Sequence, residues 1–194
     1  MNSGDLVSAA RPQRIDARRN RERLLETAVR MLSEEGPEVT LGAIAKEAGV
    51  GIGTLYRHFP TREALIDAAY RNELDRLCDS ADDLVRAQPP DQAIREWMTR
   101  FVDYMATKRG MGDALRALIA AGGDPFANSR QRLTGAVTTL LTAGASAGVL
   151  RADVTPDDLL VSISGVALAT ADRGDRAQVG RLLDLLLDGL RPHR

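Results

Sequence analysis

Between Thr40 and Pro60 the chain reads T-L-G-A-I-A-K-E-A-G-V-G-I-G-T-L-Y-R-H-F-P, and this stretch restricts the fold more than any other. Leu41, Ile44, Ala45 and Ala48 recur at helical spacing behind Thr40, whose hydroxyl is placed to accept from the first orphan amides of a helix. Gly49 follows as the left-handed residue that ends such a helix. Leu55 and Phe59 then lie four apart on one face of a second short helix, which Pro60 terminates. Each piece is only about two turns long and must bury its apolar residues against neighbours. Leu55 and Phe59 are expected in a core beside Ile44. The glycines at 49, 51 and 53 also suggest a loop that cradles a nucleotide phosphate. Spacing speaks against it: three residues after Gly51 stands Thr54 where a dinucleotide fingerprint needs glycine, and no G-x-x-x-x-G-K-[ST] string occurs.

The flanking sequence carries the same helical period. Leu25, Ala28, Val29 and Leu32 form one stripe of a helix that begins near Asp16 and is stopped by Gly36-Pro37. Residues 1–15 lack periodicity, contain Gly4 and Pro12, and are expected to form a disordered basic arm. After Pro60, Thr61 caps a long helix running from Arg62 through Ile66, Ala69, Leu74 and Leu77 toward Arg86, where Gln88-Pro89-Pro90-Asp91 breaks it. Further helices are expected over 93–106, 111–121, 128–147, 156–171 and 178–190. Aromatic residues make up only 4% of the chain while Ala, Leu and Arg abound, which favours helix over strand. The expected fold is therefore all-α, about nine helices in all. A three-helix domain over 16–62 is joined by the long fourth helix to a bundle over 63–194.

Composition narrows the setting. The single cysteine, Cys78, excludes an intramolecular disulfide framework, and apolar runs such as 185–187 are far too short to span a bilayer. No apolar secretory segment opens the chain, so a cytoplasmic protein is expected. The formal net charge of -1 conceals an asymmetry: residues 1–62 hold ten Lys or Arg against eight acids, and residues 11–23 hold six Arg against Asp16 and Glu22. A basic head on an acidic body points to an anionic partner for the head; a solvated, flexible arm is the alternative.

Two short helices joined by a glycine turn, the second exposing hydroxyl, aromatic and imidazole groups, have the plan of a helix-turn-helix. A B-DNA major groove admits one helix, and in this motif the second helix enters it while the first crosses the backbone. The string V-T-L-x-x-I-A-x-x-A-G-V-x-x-G-T-L-Y-x-H-F-x-x-R-E-x-L, from Val39 to Leu65, closely resembles the DNA-binding motif of the tetracycline-repressor family of bacterial regulators. The resemblance is dense over the first third of the chain and loose over the layout of the rest. It implies that Thr40, Tyr56 and His58 hold phosphates, and that Arg62 adds a phosphate contact where the family usually has lysine. Lys46 and Arg57 fall on the same side, and Arg14, Arg18 and Arg19 are placed to reach flanking phosphates or the adjacent minor groove. Phosphate contacts position a protein on DNA without reading it. Base reading is expected from Ile52 and Thr54, with Gly51 and Gly53 admitting close backbone approach. Gly42 stands where some members place a polar base-reading side chain.

In the body, Trp97, Phe101, Tyr104, Met105, Met111, Leu115, Ile119 and Phe126 concentrate bulky side chains in segments that, by the resemblance, surround a small-molecule effector cavity, with Tyr104 and Arg116 as polar handles. Helical spacing alone equally well places such residues in ordinary core. The last two helices carry more apolar residues than one buried stripe requires, among them Leu159, Ile163, Val166, Leu182, Leu183, Leu186 and Leu190. Pairing with the same helices of a second copy, in a homodimer, is the expected use. No G-x-S-x-G or H-E-x-x-H string occurs, and the second histidine, His193, is remote in sequence from His58. Neither an enzyme nor a metal or cofactor protein is expected. The reading is a ligand-responsive repressor that binds a palindromic operator. A DNA-binding regulator without a small effector is the alternative.

Overall fold

In the computed structural model, which describes the backbone of residues 5–171 and 175–192 and side chains from residue 16 onward, no strand occurs among the described residues. The elements are α1 (Asp5–Glu34), α2 (Leu41–Glu47), α3 (Ile52–His58), α4 (Arg62–Ala87), α5 (Pro90–Gly110), α6 (Gly112–Ala120), α7 (Ser129–Ser146), α8 (Pro156–Ala169) and α9 (Arg176–Leu190). The all-α expectation holds, and the helix ends fall where local chemistry puts them. Thr40 caps α2 by accepting from Ala43 N at 3.1 Å, and Thr61 caps α4 by accepting from Ala64 N at 3.1 Å. Thr155 caps α8 through Asp158 N at 3.2 Å, with Pro156 in the first turn where its missing N–H costs nothing. Asp175 caps α9 through the amides of Ala177 and Gln178.

One expected boundary is corrected. The segment 5–15, expected as a disordered arm, belongs to α1, which starts at Asp5 and not at Asp16. Strong helix formers on both sides of Pro12 (Ala9, Ala10, Arg11, Gln13 and Arg14) carry the helix across the one amide that proline lacks. Residues 1–4 of that arm and part of the expected turn at Arg173-Gly174 lie outside the described residues.

The chain forms two compact units. The first comprises the N-terminal residues through Asn72 together with Gly110–Pro125; the second comprises Glu73–Arg109 and the residues from Phe126 on. The division thus falls inside α4 instead of at its start, and α6 joins the first unit. Local packing accounts for this. A Cβ at Gly110 would stand 2.7 Å from the Ser33 Cβ of α1, so only glycine permits that approach, and Arg71 of α4 donates to Asp124 O at 2.9 Å. In this unit α1 packs on α2 and α3, and Leu24, Leu25, Ile44, Leu55 and Leu65 are fully buried.

The second unit is built around Trp97, Ile94, Met98 and Leu140, all removed from solvent. Trp97 donates its indole N–H to Leu77 O at 3.0 Å, joining α5 to α4. Arg95 of α5 reaches α9 twice, pairing with Asp184 at 2.6 Å and donating to Gly180 O at 3.1 Å. Arg132 of α7 bridges Asp75 and Asp79, one turn apart on α4. Among the described residues no helix is long and apolar enough to cross a membrane.

Candidate nucleic-acid interface

The α2–α3 corner is set by backbone chemistry at one glycine. Gly49 adopts φ 65°, the left-handed conformation that residues with a Cβ rarely accept, and its amide donates to Lys46 O at 3.1 Å while Val50 N donates to Ala45 O at 2.9 Å. The chain reverses out of α2 with its last carbonyls satisfied, and Gly51 starts α3 by accepting from Thr54 N and Leu55 N. Leu55 and Phe59 point inward, at 0% and 3% exposure, and anchor α3 as their spacing predicts. Two contacts to α1 complete the anchor. Arg30 pairs with Glu47 of α2 at 2.6 Å, and the Arg21 guanidinium lies 5.5 Å from the centroid of the Phe59 ring. Neither was read from the sequence, because charged residues at exposed helical positions reveal no partner across elements.

The outward face of α3 is left uncovered. Ile52 and Tyr56 are 46% and 50% exposed, an unusual cost for large side chains on a helix this short, and Thr54 lies half-buried between them in sequence. A Cβ added at Gly51 or Gly53 would meet nothing within 4 Å, so packing inside the chain does not require either glycine. Gly42 is exposed as well, and a Cβ there would meet Thr40 Oγ1 at an ordinary 3.9 Å. Lys46 lies exposed in the last turn of α2, and Arg57 and His58 occupy the last turn of α3. Arg57 donates back to Gly53 O at 3.2 Å, and the half-buried His58 ring stands 6.1 Å from that of Phe59. The Thr40 oxygen accepts from Ala43 N, which leaves its O–H proton available to an external acceptor. On α1, Arg18 and Arg19 are exposed, with Arg18 paired to Glu22 at 2.8 Å; the side chain of Arg14 lies outside the described residues.

Arg62 is placed differently from the expectation. Its side chain is half-buried, and its guanidinium donates through Nη1 to Val39 O and through Nη2 to Pro37 O, in the loop before α2.

In the body the two lists of expected residues come apart. Trp97, Phe101 and Tyr104 are buried and lie ring against ring along α5, with centroids 5.7 and 6.1 Å apart. Met105 is half-buried on the same helix, while Phe126 is exposed beneath the Lys108 ammonium, 4.3 Å from its ring centroid. Met111, which precedes α6, and Leu115, Arg116 and Ile119 on it belong to the first unit; the first two are buried, Ile119 is exposed, and Arg116 is ion-paired with Asp113 on its own helix. Tyr104 is the one expected handle that borders a described cavity, of about 240 Å³, with Leu77, Arg100 and Thr107. A larger groove of about 370 Å³ runs between α5, α8 and α9, with Val102, Ala106, Ala167 and Leu183 on its walls and Arg95 and Arg109 among its polar groups.

The residues expected at a dimer interface divide by burial. Leu159, Ile163, Leu183 and Leu190 are buried in the isolated chain, and Val166, Leu182 and Leu186 are half-buried. The apolar side chains left outside are Val161 and Leu168 on α8 and Leu185 on α9, at 71%, 63% and 67% exposure. Both helices carry two apolar stripes, and the more continuous one closes the subunit's own core.

Two family models match the chain. Residues 24–69 match the bacterial regulatory proteins of the tetR family, and residues 89–192 match the C-terminal domain of SbtR-like transcriptional regulators. Among solved structures, a TetR transcriptional regulator from Streptomyces coelicolor is 54% identical, covering 90% of this chain and 99% of that one, with a TM-score of 0.86. A TetR regulatory protein from Mycobacterium vanbaalenii is 33% identical over 93% of this chain and 100% of that one, with a TM-score of 0.77. A curated helix-turn-helix transcriptional regulator of Staphylococcus aureus is 44% identical over 63 residues, 32% of this chain; the chain spans about a third (34%) of the length of the curated relatives it matches.

Proposed function

Because the chain belongs to the TetR family of transcriptional regulators, we propose that it binds a palindromic operator as a homodimer and represses transcription until a small molecule bound in the second unit releases it. The observation that carries the DNA side of this reading is the outward face of α3. Ile52 and Tyr56 are held in water by a helix whose other face is locked by Leu55 and Phe59, and the neighbouring glycines have no use inside the chain. Ile52 and the Thr54 methyl suit thymine methyl groups, and the Thr54 hydroxyl suits several base edges. Thr40, Lys46, Tyr56, Arg57 and His58 supply phosphate contacts around them, with Arg18 and Arg19 of α1 reaching the flanks.

Homodimerisation rests on Val161, Leu168 and Leu185, whose exposure calls for a second apolar surface; α8 and α9 of two copies would form a four-helix interface about a two-fold axis. Two recognition helices would then sit about one turn of DNA apart, roughly 34–36 Å, which requires a palindrome. In the apolar α5–α8–α9 groove Arg95 and Arg176 already pair with Asp184 and Asp103, and Arg109 suits the acidic end of a small amphipathic effector. Such a molecule regulates only if it prefers the conformation that does not bind DNA, by a free energy equal to the coupling. A regulator without a small effector is favoured by one observation: the aromatic residues expected to line a cavity pack on one another, and the Trp97 N–H is already taken by Leu77 O.

Selection of duplexes from a random pool tests the central reading. A two-fold-symmetric consensus, with affinity falling steeply as salt rises, is the expected result. Enrichment of a single asymmetric half-site would remove the homodimeric operator. Absence of any preferred duplex would remove sequence-specific regulation altogether. The effector is tested separately by screening small amphipathic anions for release of the selected duplex.

A further inference from the structure

The geometry points to Arg62 as a positioning residue that holds the α1–α2 loop, and not as a phosphate clamp. α4 starts at Arg62, directly after its cap Thr61. From there the side chain turns inward to a loop 23 and 25 residues earlier, where its two terminal nitrogens donate to Val39 O and Pro37 O. Both carbonyls precede the first turn of α2, so no amide of that helix takes them. The next residue is Thr40, which caps α2 through Ala43 N and keeps its hydroxyl proton for an outside acceptor. A charged donor on a part-buried carbonyl is among the stronger neutral-acceptor contacts, and two from one rigid plane define a direction as well as a distance. The guanidinium fork matches two carbonyls two residues apart; an ammonium, a single point on a flexible stem, does not reproduce that geometry.

The consequence concerns how DNA is read. Val39 is buried and Thr40 exposed, so the loop alternates between a core anchor and an outward group. Fixing the carbonyls on either side of Glu38 fixes the direction in which Thr40 and the start of α2 leave the core. Arg62 thus ties the beginning of α4 to the edge of the DNA-facing surface, and its charge serves the protein's own carbonyls. This assignment rests on the DNA-binding reading, and its test separates the two.

The full-length wild type is compared with Arg62→Lys, Arg62→Met and Thr40→Ala on two labelled probes, the duplex selected by the wild type and a scrambled duplex of the same composition. Affinity is measured across a salt series, and amide exchange is followed at Ala43. Both Arg62 variants are expected to lower the preference for the selected duplex about tenfold and to speed Ala43 exchange by a similar factor, the scale of losing charged hydrogen bonds. The slope of log K against log salt is expected to stay unchanged. Thr40→Ala is expected to cost less in the Arg62→Lys background than alone, because the misdirected hydroxyl has less to lose. A slope that falls by about 0.9 in Arg62→Met and returns in Arg62→Lys would identify a phosphate contact and overturn the assignment. So would additive effects of Thr40→Ala and Arg62→Lys, or unchanged Ala43 exchange. Arg62→Lys keeps the charge and covers the case in which Arg62→Met does not fold. If the wild type prefers no duplex, the operator reading fails, while Ala43 exchange in Arg62→Lys still decides the brace.

Discussion

α3 and α9 spend their apolar residues in opposite ways. α3 is seven residues long, buries Leu55, and leaves Ile52 and Tyr56 in water; α9 is fifteen residues long, buries Leu183, Leu187 and Leu190, and leaves Leu185 in water. On α3 the exposed side chains bring chemistry that the buried leucine lacks, a phenol and a guanidinium beside Ile52, with one glycine between them. On α9 exposed and buried groups are the same residue. On the proposed function, the surface for a polar polymer is marked by side-chain type, whereas the surface for a second copy is marked only by position around the helix. Substitutions on the two helices should therefore fail in different ways.

The largest effect is expected behind α3. Leu55→Ala removes a fully buried side chain from a unit with a small core and should lower unfolding stability by about 2–5 kcal/mol, read as a fall in the urea midpoint together with loss of DNA binding. Leu183→Ala, equally buried in the second unit, should destabilise on the same scale. A near-neutral Leu183→Ala that instead dissociated the dimer would return the interface to the inward stripe of α8 and α9.

Next in size, and opposite in kind, are charges on the outward stripe. Val161→Asp and Leu185→Asp should leave helix content unchanged while raising the dimer dissociation constant roughly 100-fold, as expected for an anchor at the centre of an interface. Sedimentation at decreasing protein concentration reads this directly, and a dimer indifferent to both charges would mean that another surface is used.

A buried group in the second unit supplies a test on a smaller scale. Desolvation pushes the Cys78 thiol from its ordinary value of 9.0 up to about 11; Asp79 and Asp75 add to this and Arg132 opposes it. At pH 8 the shift cuts the thiolate fraction about a hundredfold while the more basic thiolate recovers about tenfold in nucleophilicity, so Cys78 should react with a disulfide reagent about ten times more slowly than a free thiol, from this shift alone. Arg132→Met removes the opposing charge and should slow it further. Faster reaction in that variant would mean that the Arg132 bridge to Asp75 and Asp79, rather than its charge, limits access to the thiol.

The same contrast explains what was legible in the chain beforehand. The Thr40 and Thr61 caps, the turn at Gly49 and the inward pair Leu55 and Phe59 all depend on residues a few positions apart, and each stands where spacing placed it. Arg62 could not be read that way, since its partners lie 25 and 23 residues earlier and a long side chain has many directions open to it. The joining of α6 to the first unit turns on Gly110 lying against Ser33, a contact between distant segments. The outward stripe of α8 and α9 was hidden for another reason. Leucines on two faces of a helix are indistinguishable until a core chooses one.

The smallest expected effects are the most informative about recognition, because they separate two neighbours on α3. Tyr56→Phe removes one neutral donor, so affinity should fall by about 0.5–1.5 kcal/mol for selected and scrambled duplexes alike, with the salt slope unchanged since no charge is lost. Thr54→Ala removes both a base-facing hydroxyl and a methyl, and should act on one position of the consensus, by about 1–3 kcal/mol against the preferred base and little against the others. Total affinity then changes less than the pattern of preference. If Tyr56→Phe altered the consensus while Thr54→Ala weakened all sequences equally, their assignments would exchange. Because Leu55 and Phe59 are buried behind α3 and fix its rotation, such an exchange would move the bases and phosphates around the helix and leave the helix in place.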